Sequence, residues 1–186
     1  MSEVDVIISA EERMKKTLQA LRKDLSTIRA GRAMPSLLDK ISVDYYGQPT
    51  PISQMAGISC PDARTIIITP WDKSTLKTIE KAIQASDLGI NPQNDGTILR
   101  LIIPPLTEQR RRELSKTVEK KGEEAKVALR NIRRDANDET KKEQKAGDIT
   151  EDDEKQALEE IQKMTEKYIK EVDGIIDAKK KEIMEV

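Results

Sequence analysis

The stretch from Thr107 to Ala146 constrains this chain more than any other. Opened by Pro104-Pro105-Leu106 and closed near Gly147, it reads as one long helix. Leu114, Val118, Ala125, Ala128, Leu129, Ile132 and Ala136 fall mostly three or four residues apart, the spacing of one amphipathic face. Arg112, Lys116, Lys126, Arg130, Arg133 and Arg134 lie largely off that face. From Arg110 to Arg134 there are ten Lys/Arg and four Asp/Glu, an excess of six positive charges in a chain of net charge −1. One face packed and the other rich in arginine describes a rod that reads a polyanion while partner helices hold its back.

Two further seams supply the partners. Ser2 to Arg29 reads as a helix about 40 Å long, with Ser2 as its cap and Ile7, Met14, Leu18, Leu21, Leu25 and Ile28 on its seam, Glu11 filling one position. Gly31 and Pro35 stop it. At the other end, Thr150 and Asp153 form a capping-box pattern ahead of a helix with Ala157, Ile161, Met164, Tyr168, Val172, Ile175, Lys179 and Ile183 on one side. Residues 148–186 hold thirteen acids and seven bases, so this acidic helix should attract the basic one. Isolated helices are marginal, and a three-helix bundle of 2–30, 107–146 and 150–185 buries all three seams at once.

Residues 37–103 have another texture. Ile41 to Tyr45 alternates as a half-buried strand, Gly47 and Pro49 signal a turn, and Ile52 to Ser59 offers one or two short strands. Arg64 to Thr69 is β-branched and strand-like. Asp72 or Ser74 can cap a helix carrying Leu76, Ile79, Ala82 and Ile83, with Gly89 in the left-handed cap position. Asn91 to Gly96 is turn chemistry, and Ile98 to Ile103 is a final strand stopped by Pro104-Pro105. The fold class is therefore α+β: an elongated antiparallel three-helix bundle, residues 1–30 and 106–186, with a small inserted β/α/β domain, residues 31–105. Two adjacent linkers, 30–35 and 104–106, form a two-stranded hinge whose residues are Ala30, Gly31, Arg32, Ala33, Pro104 and Pro105.

Composition excludes much chemistry. There is no histidine and one cysteine, Cys60, so a disulfide within the chain, a His/Cys zinc site and a His-dependent triad are all ruled out. A lone cysteine suits a reducing cytosol, and Cys60 reads as a small interior residue. No phosphate-loop motif is present, and Glu151-Asp152-Asp153-Glu154 lacks the alternation and glycine of a calcium loop, so it reads as a solvated helix start. No catalytic residue, metal or cofactor is expected. The acidic N-terminus shows no signal peptide and no apolar run approaches a membrane span. Tyr45, Tyr46 and Trp71 read as core or hinge packing.

The arginine cluster has two readings. One is a solvated face or salt bridges to the acidic last helix. The other is phosphate contact: Arg130, Arg133 and Arg134 are three and four apart and project from adjacent faces, and guanidinium groups match phosphate oxygens bidentately. Aromatics are 2% of the chain, too few for single-strand stacking platforms, so structured RNA read by backbone and shape suits better.

Several runs carry a family resemblance: Ile28-Arg29-Ala30-Gly31-Arg32-Ala33, Tyr45-Tyr46-Gly47 and Ser86-Asp87-Leu88-Gly89-Ile90-Asn91-Pro92. To these add Pro104-Pro105-Leu106-Thr107-Glu108 and Arg130-Asn131-Ile132-Arg133-Arg134-Asp135-Ala136-Asn137. In this order they resemble the bacterial ribosome recycling factors over nearly the whole chain, with Ala30 where the family often has threonine. The resemblance implies an L-shaped, cytoplasmic, monomeric protein that binds between the ribosomal subunits after termination. It implies that elongation factor G and GTP then split the ribosome, releasing mRNA and tRNA. Arg111, Arg130 and Arg133 match the family's positions on large-subunit rRNA, with Arg29 and Arg32 near the bundle tip and hinge. Arg134 is added from its place in the cluster alone. A helical adaptor joining two proteins through its charged faces is the alternative, and an enzyme a distant third.

Overall fold

The computed structural model describes residues 3–28 and 31–185. The expected cap Ser2, and Arg29 and Ala30, lie outside them. By backbone contacts the chain divides into two compact units, Met1–Arg29 with Glu108–Glu185, and Ala30–Thr107.

The first unit is three helices: α1 (Glu3–Ser26), α3 (Glu108–Lys145) and α4 (Glu151–Met184). At 1.5 Å per residue α3 is about 57 Å long. Arg13 meets Asp135 and Lys121 meets Asp24, so α1 and α3 run antiparallel. Lys126 on Asp173 and Lys180 on Glu119 set α3 against α4 in the same sense. The charge pairs run both ways between the basic and acidic helices, since Lys180 belongs to α4 and Glu119 to α3.

The seams keep a longer period than a three-four alternation. In α4, Ala157, Ile161, Thr165, Tyr168, Val172, Ile176 and Ile183 are buried and Lys179 half-buried, steps of four, four, three, four, four, three, four. That is an eleven-residue repeat, ~3.67 residues per turn, close to the straight helix and unlike the left-handed heptad. This corrects the sequence reading at two places. Thr165 replaces Met164 and Ile176 replaces Ile175, because each three-residue step falls one place later than the apolar residues suggest, while both seams run from Ala157 to Ile183. Thr165 tolerates burial because its hydroxyl donates to the Ile161 carbonyl (2.7 Å), as Thr140 does to Ala136 (2.8 Å). In α1, Val6 and Ala10 are buried where Ile7 and Glu11 were expected. Glu11 lies at the seam's edge and accepts from the Tyr168 hydroxyl (2.9 Å). The helix also ends at Ser26, short of Arg29, because the Ser26 and Thr27 hydroxyls donate back to the Lys23 and Asp24 carbonyls.

Gly122 of α3 and Thr150 ahead of α4 are local devices. Gly122 is buried in the seam. Thr150 accepts from the Asp153 amide while Asp153 accepts from the Thr150 amide, a complete capping box.

The second unit holds β1 (Ser42–Tyr45), β2 (Gln48–Pro51), β3 (Ala56–Asp62), β4 (Thr65–Pro70), α2 (Leu76–Gln84), β5 (Gln93–Asn94) and β6 (Leu99–Ile102). β1 and β2 form a two-stranded hairpin, and the other strands an antiparallel sheet in the order β3-β4-β6-β5. Tyr46 (φ +49°) and Gly47 (φ +81°) make the hairpin's two-residue turn, both in the left-handed region that a type I′ turn requires. Pro49 therefore sits in β2, past the turn where the sequence placed it. β4 buries Ile66, Ile68 and Pro70, and the two isoleucines share one core cluster with Val43, Ile52, Ile79, Ile83, Leu99 and Leu101.

Four further expectations are corrected here. Asp72 caps the turn before α2 by accepting from the Ser74 amide, but α2 ends at Gln84, so Gly89 (φ +66°) turns the loop beyond it. β5 lies within the stretch read as pure turn. Trp71 is 71% exposed and Tyr46 83%, neither in a core. With Ile66, Ile68 and Pro70 inward, strand alternation turns residue 71 outward. Cys60 is half-buried rather than interior, and burial with the neighbouring Asp62 carboxylate raises its thiol pKa.

Candidate nucleic-acid interface

The eleven-residue repeat sorts the cations of α3 by line. Arg111, Gly122 and Arg133 share one line on the edge toward α4. The Arg111 guanidinium donates to the Met184 carbonyl (3.3 Å), and its Nε is buried without a hydrogen-bond partner. Arg133 donates to Gln162 Oε1 (3.3 Å), and Gln162 donates on to Glu166 (2.8 Å). Each arginine meets a neutral oxygen of α4 through one of its terminal nitrogens, so it is oriented by α4 rather than neutralised by it.

Other cations are paired, some across the bundle and some along α3 itself. Lys126 lies between Asp173 (2.5 Å) and Glu123 (3.4 Å), and its pKa is raised, chiefly by the hydrogen bond to Asp173. Lys121 pairs with Asp24, Arg110 with Glu113 and Arg112 with Glu108. The expected salt bridge to the acidic last helix is made by Lys126 alone of these four; Lys121 reaches α1, and Arg110 and Arg112 pair within α3.

The salt-bridge reading does not hold for Arg130 and Arg134. Both are exposed, and neither has a hydrogen-bond or ion-pair partner among the described residues. Lys116 and Lys120 stand in the same condition on the outward side of the same helix. Lys120 was missed as a candidate; its signal was the four-residue step from Lys116, matched by the step from Arg130 to Arg134. Lys116 to Arg134 spans about 27 Å of helix. This strip can bind phosphates without breaking any bond of the fold.

In the second unit Arg32 is exposed beside buried Gly31. Gly31 has φ +75°, and a Cβ there would stand 2.9 Å from Leu106 Cγ, so the two linker segments touch where only glycine fits. The Ala33 amide donates to the Ala63 carbonyl and the Ile103 amide to Arg64, both at 2.7 Å. Pro104 and Pro105 follow with no amide hydrogen to extend the ladder. Gly31, Arg32, Ala33, Pro104 and Pro105 therefore lie together at the exit of this unit.

Fold and strip define a class: a three-helix bundle interrupted by a small β unit, with an unneutralised cationic face and, among the described residues, no cluster able to hold a metal. The ribosome recycling factor family model matches residues 21–184. The ribosome-recycling factor of Brevibacillus brevis is 61% identical over 181 residues, 97% of this chain and 98% of that one. That of Syntrophomonas wolfei is 58% identical over 182 residues, 98% of each. A solution structure of the ribosome recycling factor superposes with TM-score 0.74 at 41% identity, covering 100% of this chain and 99% of the other. A second neighbour, at TM-score 0.63 and 43% identity, covers 99% of this chain and 100% of its own. There the Thermus thermophilus ribosome recycling factor and Escherichia coli elongation factor G are bound to the Escherichia coli post-termination complex. The chain belongs to the ribosome recycling factor family.

Proposed function

We propose that this protein recycles post-termination ribosomes in the cytoplasm. The bundle binds between the subunits, and the outward strip of α3 grips large-subunit rRNA through Arg130 and Arg134. Arg111 and Arg133 contribute from the α4 edge, and Arg29 and Arg32 near the hinge. The observation that carries this reading is the pair of exposed, unpartnered guanidinium groups on a helix whose other arginines are all engaged by protein oxygens. Family membership and the neighbour bound with elongation factor G on the post-termination complex support the same reading.

The protein's own part is mechanical. It carries no phosphate-loop motif, so the energy comes from GTP hydrolysed by elongation factor G. The GTPase pushes the small unit, the linkers at 31–33 and 104–105 act as the hinge, and the stiff bundle carries the displacement to the bridging RNA. No helix among the described residues is long and apolar enough to cross a membrane.

The direct test is subunit splitting of post-termination ribosomes, followed by light scattering, with and without elongation factor G and GTP. Splitting should need all three components. Arg133→Ala should weaken ribosome binding; unchanged affinity at physiological salt would sink the proposed grip. A cross-link rigidly joining the two units should spare binding and block splitting.

A further inference from the structure

The pair of Arg13 and Asp135 marks a level on the bundle at which all three helices change in charge. The contact of Arg133 with Gln162 sets α4 at the same level. On the side of Ser26 and Glu108, residues 13–28, 108–134 and 161–185 hold 21 Lys/Arg and 12 Asp/Glu, an excess of nine positive charges. On the side of the α3–α4 turn, residues 5–12 and 135–160 hold 14 Asp/Glu and four Lys/Arg, an excess of ten negative charges. Helix ends explain only part of this. Acids favour the first turn of a helix, which accounts for Glu151 to Glu154 at the start of α4. The dipole effect fades within one turn, so it does not account for Glu12, Asp138, Glu159 and Glu160. Those four are exposed, and none has a hydrogen-bond or ion-pair partner among the described residues. Three of the four cations at this end, Lys141, Lys142 and Lys145, lie toward the C-terminus of α3, where helix carbonyls attract them.

We infer that the acidic end is a selectivity element: it denies the bundle to RNA that runs alongside it and leaves the strip on α3 to RNA that crosses it. The midpoint of the Arg130–Arg134 step lies about 20 Å along α3 from Lys145. Charges that far apart are screened from one another at physiological salt, where the Debye length is about 8 Å. A polyanion therefore meets two regions of opposite sign rather than one averaged rod. A phosphate backbone laid along α3 gains counterion release at Lys116, Lys120, Arg130 and Arg134, then meets repulsion over the acidic end. A backbone that crosses the strip takes the gain alone. Specificity is a difference of affinities, and unpaired like charge set against the wrong ligand raises it as a contact to the right one does. The inference rests on the rRNA contact proposed above and adds the residues that decide which RNA can use it.

Four substitutions made together supply the test: Glu12→Gln, Asp138→Asn, Glu159→Gln and Glu160→Gln. A second variant, Glu159→Lys with Glu160→Lys, makes the same change in charge on α4 alone. Binding is measured by fluorescence anisotropy with a short RNA duplex matched to the strip and with one long enough to run the whole bundle. Ribosome binding is measured by sedimentation. Both variants should bind the long duplex about tenfold tighter or more, with a steeper salt dependence. Affinity for the short duplex and for post-termination ribosomes should change by less than about twofold, since the strip itself is intact. An equal gain on both duplexes would make net charge rather than its position the cause and would overturn the inference. No gain on either duplex would overturn it as well. So would a drop in ribosome affinity, which would make these acids contacts. If the wild-type protein failed to split ribosomes while the long duplex still separated it from the variants, the selectivity element would stand and the recycling function would not.

Discussion

A Cβ built on Gly122 of α3 would stand 2.7 Å from Ile176 Cγ1 of α4. The glycine marks where the two longest helices approach too closely for any side chain. Alanine at 122 would gain about 1 kcal/mol of helix propensity against an overpacking cost of about 1–3 kcal/mol. Gly122→Ala should therefore destabilise the protein modestly in urea unfolding. In an Ile176→Ala background the same change should become stabilising, because the obstructing carbons are gone. A Gly122→Ala protein more stable than the parent would contradict the close approach.

Arg130 and Arg134 hold nothing in the fold together, since neither has a partner among the described residues. Alanine at either should leave unfolding free energy within about 0.5 kcal/mol. Each substitution should also lower the slope of log affinity for ribosomes against log salt by about one, the signature of one lost phosphate contact. A salt slope equal to the parent's would remove these arginines from the interface.

Acid should weaken both units. Asp62, Asp72, Asp95 and Asp153 have carboxyls held below their ordinary pKa, each mainly by hydrogen bonds donated to it from nearby amides or hydroxyls. A depressed folded pKa adds stability that is present above the unfolded value and lost as pH falls through the folded one. Urea midpoints should thus drop below about pH 4. Separately, Thr150→Ala should cost about 1 kcal/mol at neutral pH through loss of the α4 cap. A flat midpoint from about pH 5 to about pH 2 would mean the turns do not hold these carboxylates.

Alkali should act on Tyr168. Burial first, and then its hydrogen bond to Glu11, push this phenol up to about 12. A raised folded pKa contributes stability that is complete below the unfolded value near 10 and lost as pH rises toward about 12. Tyr168→Phe should flatten unfolding midpoints between those limits. Spectrophotometric titration should show one late phenol that titrates with the unfolding transition.

Much of the bundle was legible because amphipathic spacing and capping residues act locally. Thr150 with Asp153 announces the start of α4, and Leu114, Val118, Ala125, Leu129, Ile132 and Ala136 mark the buried face of α3. Seam phase was less legible. Met164 is more apolar than Thr165, yet the geometry of three packed helices buries the threonine and satisfies its hydroxyl along the backbone. Trp71 misled for a related reason: aromatic character suggests a core, while its place just past buried Pro70 at the end of β4 turns it out.

For the candidate interface the division is the same. That arginines accumulate on one helix is written in the chain, because charge is a property of each residue. Which of them stay unneutralised is not, because that depends on what the neighbouring helix puts opposite. Lys126 faces Asp173 and is consumed, whereas Arg130, one turn on, faces water. The helices, their order and their net charge were thus set by local patterning. The tertiary packing alone decided which cations remained available and which rings were left uncovered, since pairing and burial depend on residues far apart in sequence.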